Sequence, residues 1–429
     1  MTVSRGLLVF SCAAITFGSF TATVQAFPHK GIVQLSAGED NTCALMADHH
    51  VSCWGSGNVA NSTSPLPVPK INAAISVASG NGFACALLLD QTVWCWGVNS
   101  SGQLGDATFS PRAVNPAPVL TSGHPFNGAT AITVGNAHAC ALKSPDSTVY
   151  CWGSNSDGQL GNWNIGIGTN FNTPLLVVIH DGASNPALGG VGSISAGAFH
   201  TCATIGDPTE TAACWGYDPY GQLGNTTAPA EIDSPVTVEA PDGSALGMIE
   251  DGITAGEFHT CTVIPELAPA NNSLACWGDN TSGELGNPFE LGFFTAVPAP
   301  VVFSDGVNKL TNVKYVGAGN SFSCALLADT SAACWGSDFY GQLGNNFEMS
   351  GFSVSPLAVA SSGSTITGFD TIAVGANHVC GLIGGTRVLC WGSNGFGQLG
   401  IGSTDGTTHA LPVNAAVDSP IFADNLDND

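Results

Sequence analysis

The sequence predicts an all-β chain, a seven-bladed β-propeller of four-stranded antiparallel blades with one disulfide per blade. Three observations predict it. The triplet Cys-Trp-Gly occurs seven times, with its tryptophan at Trp54, Trp96, Trp152, Trp215, Trp277, Trp335 and Trp391. The copies stand 42 to 63 residues apart, and a unit recurring at such intervals is the signature of a repeat architecture. Every copy is preceded by a second cysteine, 10 to 15 residues upstream. Short alternating runs fill the space between turns, with no helical period.

The clearest unit is CALKSPDSTVYCWGSNSDGQLG, Cys140 to Gly161. A β-branched first strand ends in glycine, as in Ile132 to Gly135. That glycine stands five residues before the first cysteine of each unit, at Gly38, Gly80, Gly135, Gly197, Gly256, Gly319 and Gly375. Its tolerance of positive φ makes it the expected tight turn. The second strand carries the first cysteine, and the third ends in Cys-Trp-Gly. An Asn or Asp follows (Asn99, Asn155, Asp218, Asn280, Asp338, Asn394), whose side chain caps a turn on its own backbone. Gly-Gln-Leu-Gly comes next in units two to seven, with Glu284 replacing Gln once. Its Leu is expected to plug the gap to the neighbouring sheet. The fourth strand is expected to begin near Pro67, Pro118, Pro174, Pro235, Pro300, Pro356 or Pro412, because proline is tolerated at a strand start or sheet edge. Ring closure is open to two solutions. Blade one packs on blade seven, or a strand from residues 27–34 completes blade seven.

In these residues the sequence resembles the regulator-of-chromosome-condensation repeat: W-G-x-N-x-x-G-Q-L-G, then P-x-V, then G-x-x-H-x-x-A-L. The resemblance covers nearly all of residues 31–417. It implies a seven-bladed propeller used as a protein-binding platform. The best-known members exchange guanine nucleotide on a nuclear GTPase, and a secreted branch of similar fold inhibits β-lactamases. This chain departs from the pattern by its paired cysteines, by Gly55-Ser56-Gly57-Asn58 in place of Gly-Gln-Leu-Gly in unit one, and by its scarcity of basic residues. Those departures speak against the nuclear activity and not against the fold.

Residues 1–26 read as a secretory signal: Arg5, an apolar run from Gly6 to Phe20, and Val24-Gln25-Ala26 as the cleavage site. Residues 27–417 are assigned to the propeller and 418–429 to an acidic tail. The expected location is secreted, periplasmic or cell-surface, with no membrane span after cleavage. The net charge is −24, with 8 basic residues against 32 acidic. Phosphate-backbone binding needs clustered cations, so nucleic acid is excluded as a partner.

Once Cys12 leaves with the signal, the other cysteines fall as Cys43/Cys53, Cys85/Cys95, Cys140/Cys151, Cys202/Cys214, Cys261/Cys276, Cys324/Cys334 and Cys380/Cys390. The register pairing Leu142 with Val149 also sets Cys140 opposite Cys151, within disulfide reach. Export supplies the oxidising compartment. Zinc spacing is missing.

His138, His200, His259 and His378 stand two residues before a cysteine, with Asn41, Phe83 and Phe322 in the other units. Four imidazoles in a pseudo-symmetric ring would suit a metal. Hydrogen bonding at a repeat position is the favoured reading. No nucleophile elbow, Walker loop or zinc helix motif occurs, so no catalytic residue, metal or cofactor is expected. Sequons at Asn61, Asn99, Asn225, Asn271 and Asn280 are of the kind that polar loops produce by chance.

The reading is a monomeric, exported, non-enzymatic scaffold for a protein or surface ligand. Its alternatives are an inhibitor of an extracellular enzyme, a carbohydrate-binding propeller, and a guanine-nucleotide exchange factor. Long strand-three-to-four loops in blades three, five and six carry the expected partner-binding residues: Trp163 and Phe171; Phe289, Phe293 and Phe294; Phe347 and Phe352. All seven are expected at one end of the propeller, because strands alternate direction, and aromatics in such long loops are expected at a recognition surface.

Overall fold

Seven four-stranded antiparallel sheets follow one another along the chain, at residues 32–67, 74–118, 129–176, 191–237, 253–300, 313–358 and 369–414. The computed structural model describes residues 31–57, 61–164, 166–206, 211–227, 231–248, 252–265, 271–289, 291–346, 351–361, 363–404 and 408–418. The expected signal segment, most of the acidic tail and Phe347 lie outside the described residues. In every sheet the strands are hydrogen-bonded in sequence order, the first lining the axis and the fourth the rim. Small hairpins lie in the connectors after blades two (Leu120–Thr121 with His124–Pro125) and six (Ala360–Ser361 with Ser364–Thr365).

The central hairpin has the expected register, Cys140 opposite Cys151 and Leu142 opposite Val149. The same register recurs in every blade and brings each expected cysteine pair to disulfide distance. Blade one joins Cys43 to Cys53 and blade two Cys85 to Cys95. Blade three joins Cys140 to Cys151, blade four Cys202 to Cys214, and blade five Cys261 to Cys276. Blade six joins Cys324 to Cys334 and blade seven Cys380 to Cys390. No bridge runs between blades among the described residues. The Cα atoms of Cys140 and Cys151 are 4.1 Å apart, the close spacing of a cross-strand pair without mutual hydrogen bonds. The bridges are buried, with the tryptophans beside them fully so.

Proline placement differs from expectation. The fourth strand of blade one is Ser62–Pro67 and that of blade three is Phe171–Leu176, so proline lies inside or at the end of the strand. The equivalent residue is the one preceding the partner of the second cysteine. It is Pro174 before Leu175 in blade three, but Pro65 before Leu66 in blade one and Pro298 before Ala299 in blade five. The register slips there, and the strand is an outer edge, so the missing N–H costs no ladder bond.

The axial glycines also have a different reason from the one expected. None of the seven adopts positive φ. A Cβ on Gly38, Gly80, Gly135, Gly197, Gly256, Gly319 or Gly375 would come closer than 3.0 Å to the carbonyl oxygen of the corresponding glycine in the next blade, and Gly375 meets Gly38. The seven backbones meet round the axis with no room for a side chain. Positive φ belongs instead to the glycine of Cys-Trp-Gly, between 92° and 111°.

That contact of Gly375 with Gly38 shows how the ring closes. Blade one owns all four of its strands. Its first strand, Ile32–Ala37, packs on blade seven, with Ile32 N–H donating to Gly385 O (2.6 Å) and Ala376 N–H to Gly38 O (3.0 Å).

Six of the seven seams between blades are built by Gly-Gln-Leu-Gly or its Glu284 variant. Its Leu (Leu104, Leu160, Leu223, Leu285, Leu343, Leu399) is fully buried between two sheets. The preceding Asn or Asp accepts the Leu N–H, as in Asn155 Oδ1 to Leu160 N (3.1 Å). The Gln carbonyl accepts the indole N–H of the next blade, as in Trp215 to Gln159 O (2.9 Å) and Trp277 to Gln222 O (2.9 Å). Only the buried indole N–H of Trp96, which follows the variant first unit, lacks a partner among the described residues.

Candidate functional site

The four histidines complete the same seams. His138 Nε2 lies 2.9 Å from Thr201 Oγ1, His200 2.8 Å from Thr260, His259 2.8 Å from Ser323 and His378 2.8 Å from Thr42. Each hydroxyl donates onward to the Gln or Glu carbonyl, as Thr260 does to Gln222 O (2.8 Å). The hydroxyl proton is thus committed, and the imidazole donates through Nε2–H. Burial lowers His138 to about 4 and the others to about 3, so all four rings are neutral. Where the histidine is missing, the hydroxyl of the next blade is missing too. The corresponding positions are Ala84 for Asn41, Ala139 for Phe83 and Val379 for Phe322. These imidazoles are seam hydrogen-bonders, and among the described residues no cluster suits a metal.

Two of the five sequons fall on seam residues. Asn99 and Asn280 are fully buried, their Oδ1 atoms capping Leu104 and Leu285. They are closed to glycosylation in the folded chain.

Blade five carries the one acidic seam. Glu284 stands where the others have Gln, and its Oε2 accepts Ser282 N–H (2.7 Å). It shares a hydrogen bond with Asp279, as Gln398 does with Ser393 in blade seven (3.3 Å). Burial pushes Glu284 up to about 8 from its ordinary 4.5. The folded chain therefore holds a proton that the unfolded chain releases across that window. The contribution of Glu284 to stability falls as pH rises from about 4.5 to about 8 and is flat above it. Glu284→Gln should be more stable than the parent by about 1 kcal/mol or more at pH near 8, the gap closing toward acid. Thermal melts of both proteins across this range test it, and a pH-independent gap would refute the protonated carboxyl.

Two kinds of loop crowd one end of the propeller: the turns between strands one and two, and the start of the strand-three-to-four loop. The loops are rigid because their own side chains cap them, for example Gln222 Oε1 to Tyr220 N–H (3.1 Å) and Asp218 Oδ1 to Leu223 N–H (2.8 Å). On blades four and five this end carries an aromatic cluster. Phe199 stacks on Phe258 with centroids 5.6 Å apart. Tyr220 meets Phe258 at 5.2 Å and Phe294 edge-on at 6.2 Å. Tyr217 closes the group, 5.8 Å from Phe258. Phe294 is 61 % exposed and Phe293 70 %. Blades six and seven continue the arc with exposed Phe339, Tyr340, Phe352 and Phe396.

Of the predicted partner-binding residues, Phe293, Phe294 and Phe352 lie exposed at this end. Phe171 is half-buried against the blade-three core. Trp163 and Phe289 lie at the opposite end. Trp163 stacks on His180 of the following connector, centroids 3.9 Å apart, and Phe289 lies against Gly306 of another. The reason is the path of the loop. Gly-Gln-Leu-Gly runs down the seam until Gly161 O accepts Val178 N–H (3.0 Å) at the connector, and only then does the chain return. The expectation of seven aromatics on one face is corrected accordingly. Sequence reasoning passed over Phe199, Tyr217, Tyr220, Phe258, Phe339, Tyr340 and Phe396. A usable signal was the residue before Gly-Gln-Leu-Gly, aromatic in blades four, six and seven and Ser or Asp in blades two, three and five.

Carboxylates accompany the aromatics. Glu257 precedes Phe258, and Asp279 N–H donates to Phe258 O (2.9 Å). Burial, then repulsion from Glu39 and Asp279, raises Glu257. Burial raises Asp40, and burial with Asp40 raises Glu39. Burial also lifts Asp218 to about 7. Glu39 and Glu257 stand with Asn136 and Asn320 on the wall of the axial cavity, whose volume is about 360 Å³.

Comparison with known proteins agrees with this architecture. The regulator of chromosome condensation (RCC1) repeat family matches residues 32–59, 74–103, 129–159 and 313–342 through one profile, and 90–142 and 146–204 through a second. The chain is 29 % identical over 289 residues to the human E3 ubiquitin-protein ligase HERC2, spanning 67 % of this chain and 5 % of that protein. It is 27 % identical over 283 residues to the ultraviolet-B receptor UVR8 of Arabidopsis thaliana, 66 % of this chain and 56 % of the receptor. It thus spans a small part of the ligase and about half of the receptor. Among solved structures, Prp20p of Saccharomyces cerevisiae superposes with a TM-score of 0.66 at 19 % identity, covering 90 % of this chain and 87 % of that one. Human WBSCR16 gives 0.65 at 21 %, covering 82 % and 84 %. Both likenesses are at the level of the fold. With its seven in-phase units and these matches, the chain carries regulator-of-chromosome-condensation repeats on a seven-bladed propeller.

Proposed function

We propose that the protein is an exported, non-enzymatic scaffold that holds a protein or surface ligand on the loop end of blades four to six. The observation carrying this reading is the aromatic cluster Phe199, Tyr217, Tyr220, Phe258 and Phe294, joined across a seam and set on capped, rigid loops. Aromatics presented on a rigid frame contribute contact area at little entropic cost, which is the composition of binding hot spots. The cluster is contiguous across blades and does not repeat singly in equivalent pockets. That arrangement favours a protein over a carbohydrate ligand. Prp20p is described as having binding properties to Gsp1p and histones, which supports a protein partner for a propeller of this shape. Seven intrablade disulfides and the signal-like residues 1–26 support export.

The test uses the native protein from the extracellular fraction. Its N-terminus should be Phe27. Captured partner should be lost, by about tenfold or more, with Tyr220→Ala/Phe294→Ala and retained with Trp163→Ala. Retained Met1 removes the export reading, and loss with Trp163→Ala alone moves the site to the connector end.

A further inference from the structure

We infer that the aromatic end of blades four to six takes a basic peptide segment. Its lysine or arginine side chains would lie over Tyr220, Phe258 and Phe294, with their charge met by Glu257 and Glu39. This rests on the binding-face reading above and names the partner's chemistry.

Three observations carry it. The first is the separation of charge along the axis. Among the described residues, the basic side chains Lys70, Lys143, Lys309, Lys314 and Arg387 all lie in connectors, hairpin tips or the strand ends beside them. Arg112, at the start of the fourth strand of blade two, is the sole basic residue at the loop end among the described residues. Glu39, Asp40, Glu257 and Asp279 lie at that same end, on or beside the turns next to the axis. The second is the crowding of those acids. Glu39 and Glu257 come from blades one and five yet line the same axial cavity, and after burial the like charges of Glu39 and Asp279 raise Glu257. Within this group the described residues supply no compensating cation, and a bound one would relieve the repulsion. The third is the chemistry of the rings, whose faces attract cations. The protein already uses that attraction at its other end, where Lys143 Nζ lies 5.1 Å from the Phe126 centroid and 5.4 Å from that of Tyr150.

A single metal ion fits less well than a chain of cations. No three carboxylates or other ligands converge among the described residues, so charge is best matched by groups spaced along a segment. Anionic segments are repelled by the same field. A net charge of −24 also steers a basic segment in from a distance, in a salt-dependent manner.

The probe is a short fluorescent peptide of alternating arginine and glycine, with a glutamate–glycine peptide as control, read by anisotropy on the intact oxidised chain. The arginine peptide should bind and the control should not. Its affinity should fall about tenfold or more between about 20 and about 200 mM NaCl. Tyr220→Ala/Phe294→Ala should lower it about tenfold, and Glu257→Gln should lower it several-fold with a shallower salt dependence. Asp242→Asn, at the connector end, should leave it unchanged. If the double variant does not fold, Phe294→Ser and Glu257→Gln carry the same test. Absence of binding, or binding as sensitive to Asp242→Asn as to Glu257→Gln, overturns the proposal. If the peptide fails while the double variant still loses captured partner, the basic-segment inference falls and the face remains. If the double variant keeps its partner, the face falls and the inference with it.

Discussion

Reduction of the seven disulfides should unfold the protein at ambient temperature. Each bridge closes a ring of 10 to 15 residues by sequence separation, which the chain-entropy argument values at somewhat under about 3 kcal/mol. Seven such terms, even if far from additive, exceed the net stability of about 5–15 kcal/mol typical of a folded chain. The bridges are buried, so reduction needs denaturant first, followed by its removal in the presence of reductant. Far-UV circular dichroism then reports whether strands return. A reduced protein melting within a few degrees of the oxidised one would show that the seams alone hold the propeller. Among single pairs, Cys261→Ala/Cys276→Ala should cost more than Cys43→Ala/Cys53→Ala, because it opens the longer ring.

Gly135→Ala should be nearly as damaging. Its new methyl would collide with the carbonyl oxygen of Gly197 and with the buried ring of His138. Neither partner yields easily. One is backbone of the adjoining blade, and the other is tied to Thr201. The expected loss is about 3 kcal/mol or more, in the range of severe core overpacking. Gly247→Ala is the control, because a Cβ there meets nothing within 4 Å. Urea denaturation of both variants decides the matter. Equal midpoints would mean that the blades have slack round the axis.

Much of the fold was legible because the repeat states it many times. The cysteine pairing followed from the register of one hairpin, and the Leu plug and the Asn cap followed from spacing alone. What the sequence hid were facts about neighbouring blades. The axial glycines look like turn residues until the next blade is placed beside them. Trp163 looks like a loop-end residue until Gly161 is seen bonded at the connector. Phe199 and Phe258 lie 59 residues apart in sequence and become a stacked pair only when two blades are set side by side. The histidines were readable as repeat residues, but their hydroxyl partners, one blade on, were not. The candidate face was therefore half visible, through Phe293, Phe294 and Phe352, while the cluster that organises it was not.

The seam between blades one and two is built differently from the other six. Among the described residues, the Trp96 indole has no acceptor, Asn41 keeps both amide atoms unpartnered, and Ala84 offers no hydroxyl in reply. A closed ring is a set of joints in series, and this one is fastened in two ways. The seam of blades seven and one carries the full His378–Thr42–Gln398 relay. The seam of blades one and two is held instead by Gln34, which donates to Val77 O (3.1 Å) and accepts Val77 N–H (3.0 Å), and by Ser36, which accepts Ser79 N–H (2.9 Å). One joint can therefore exchange the indole relay for side chains on the strand edges while the ring stays closed.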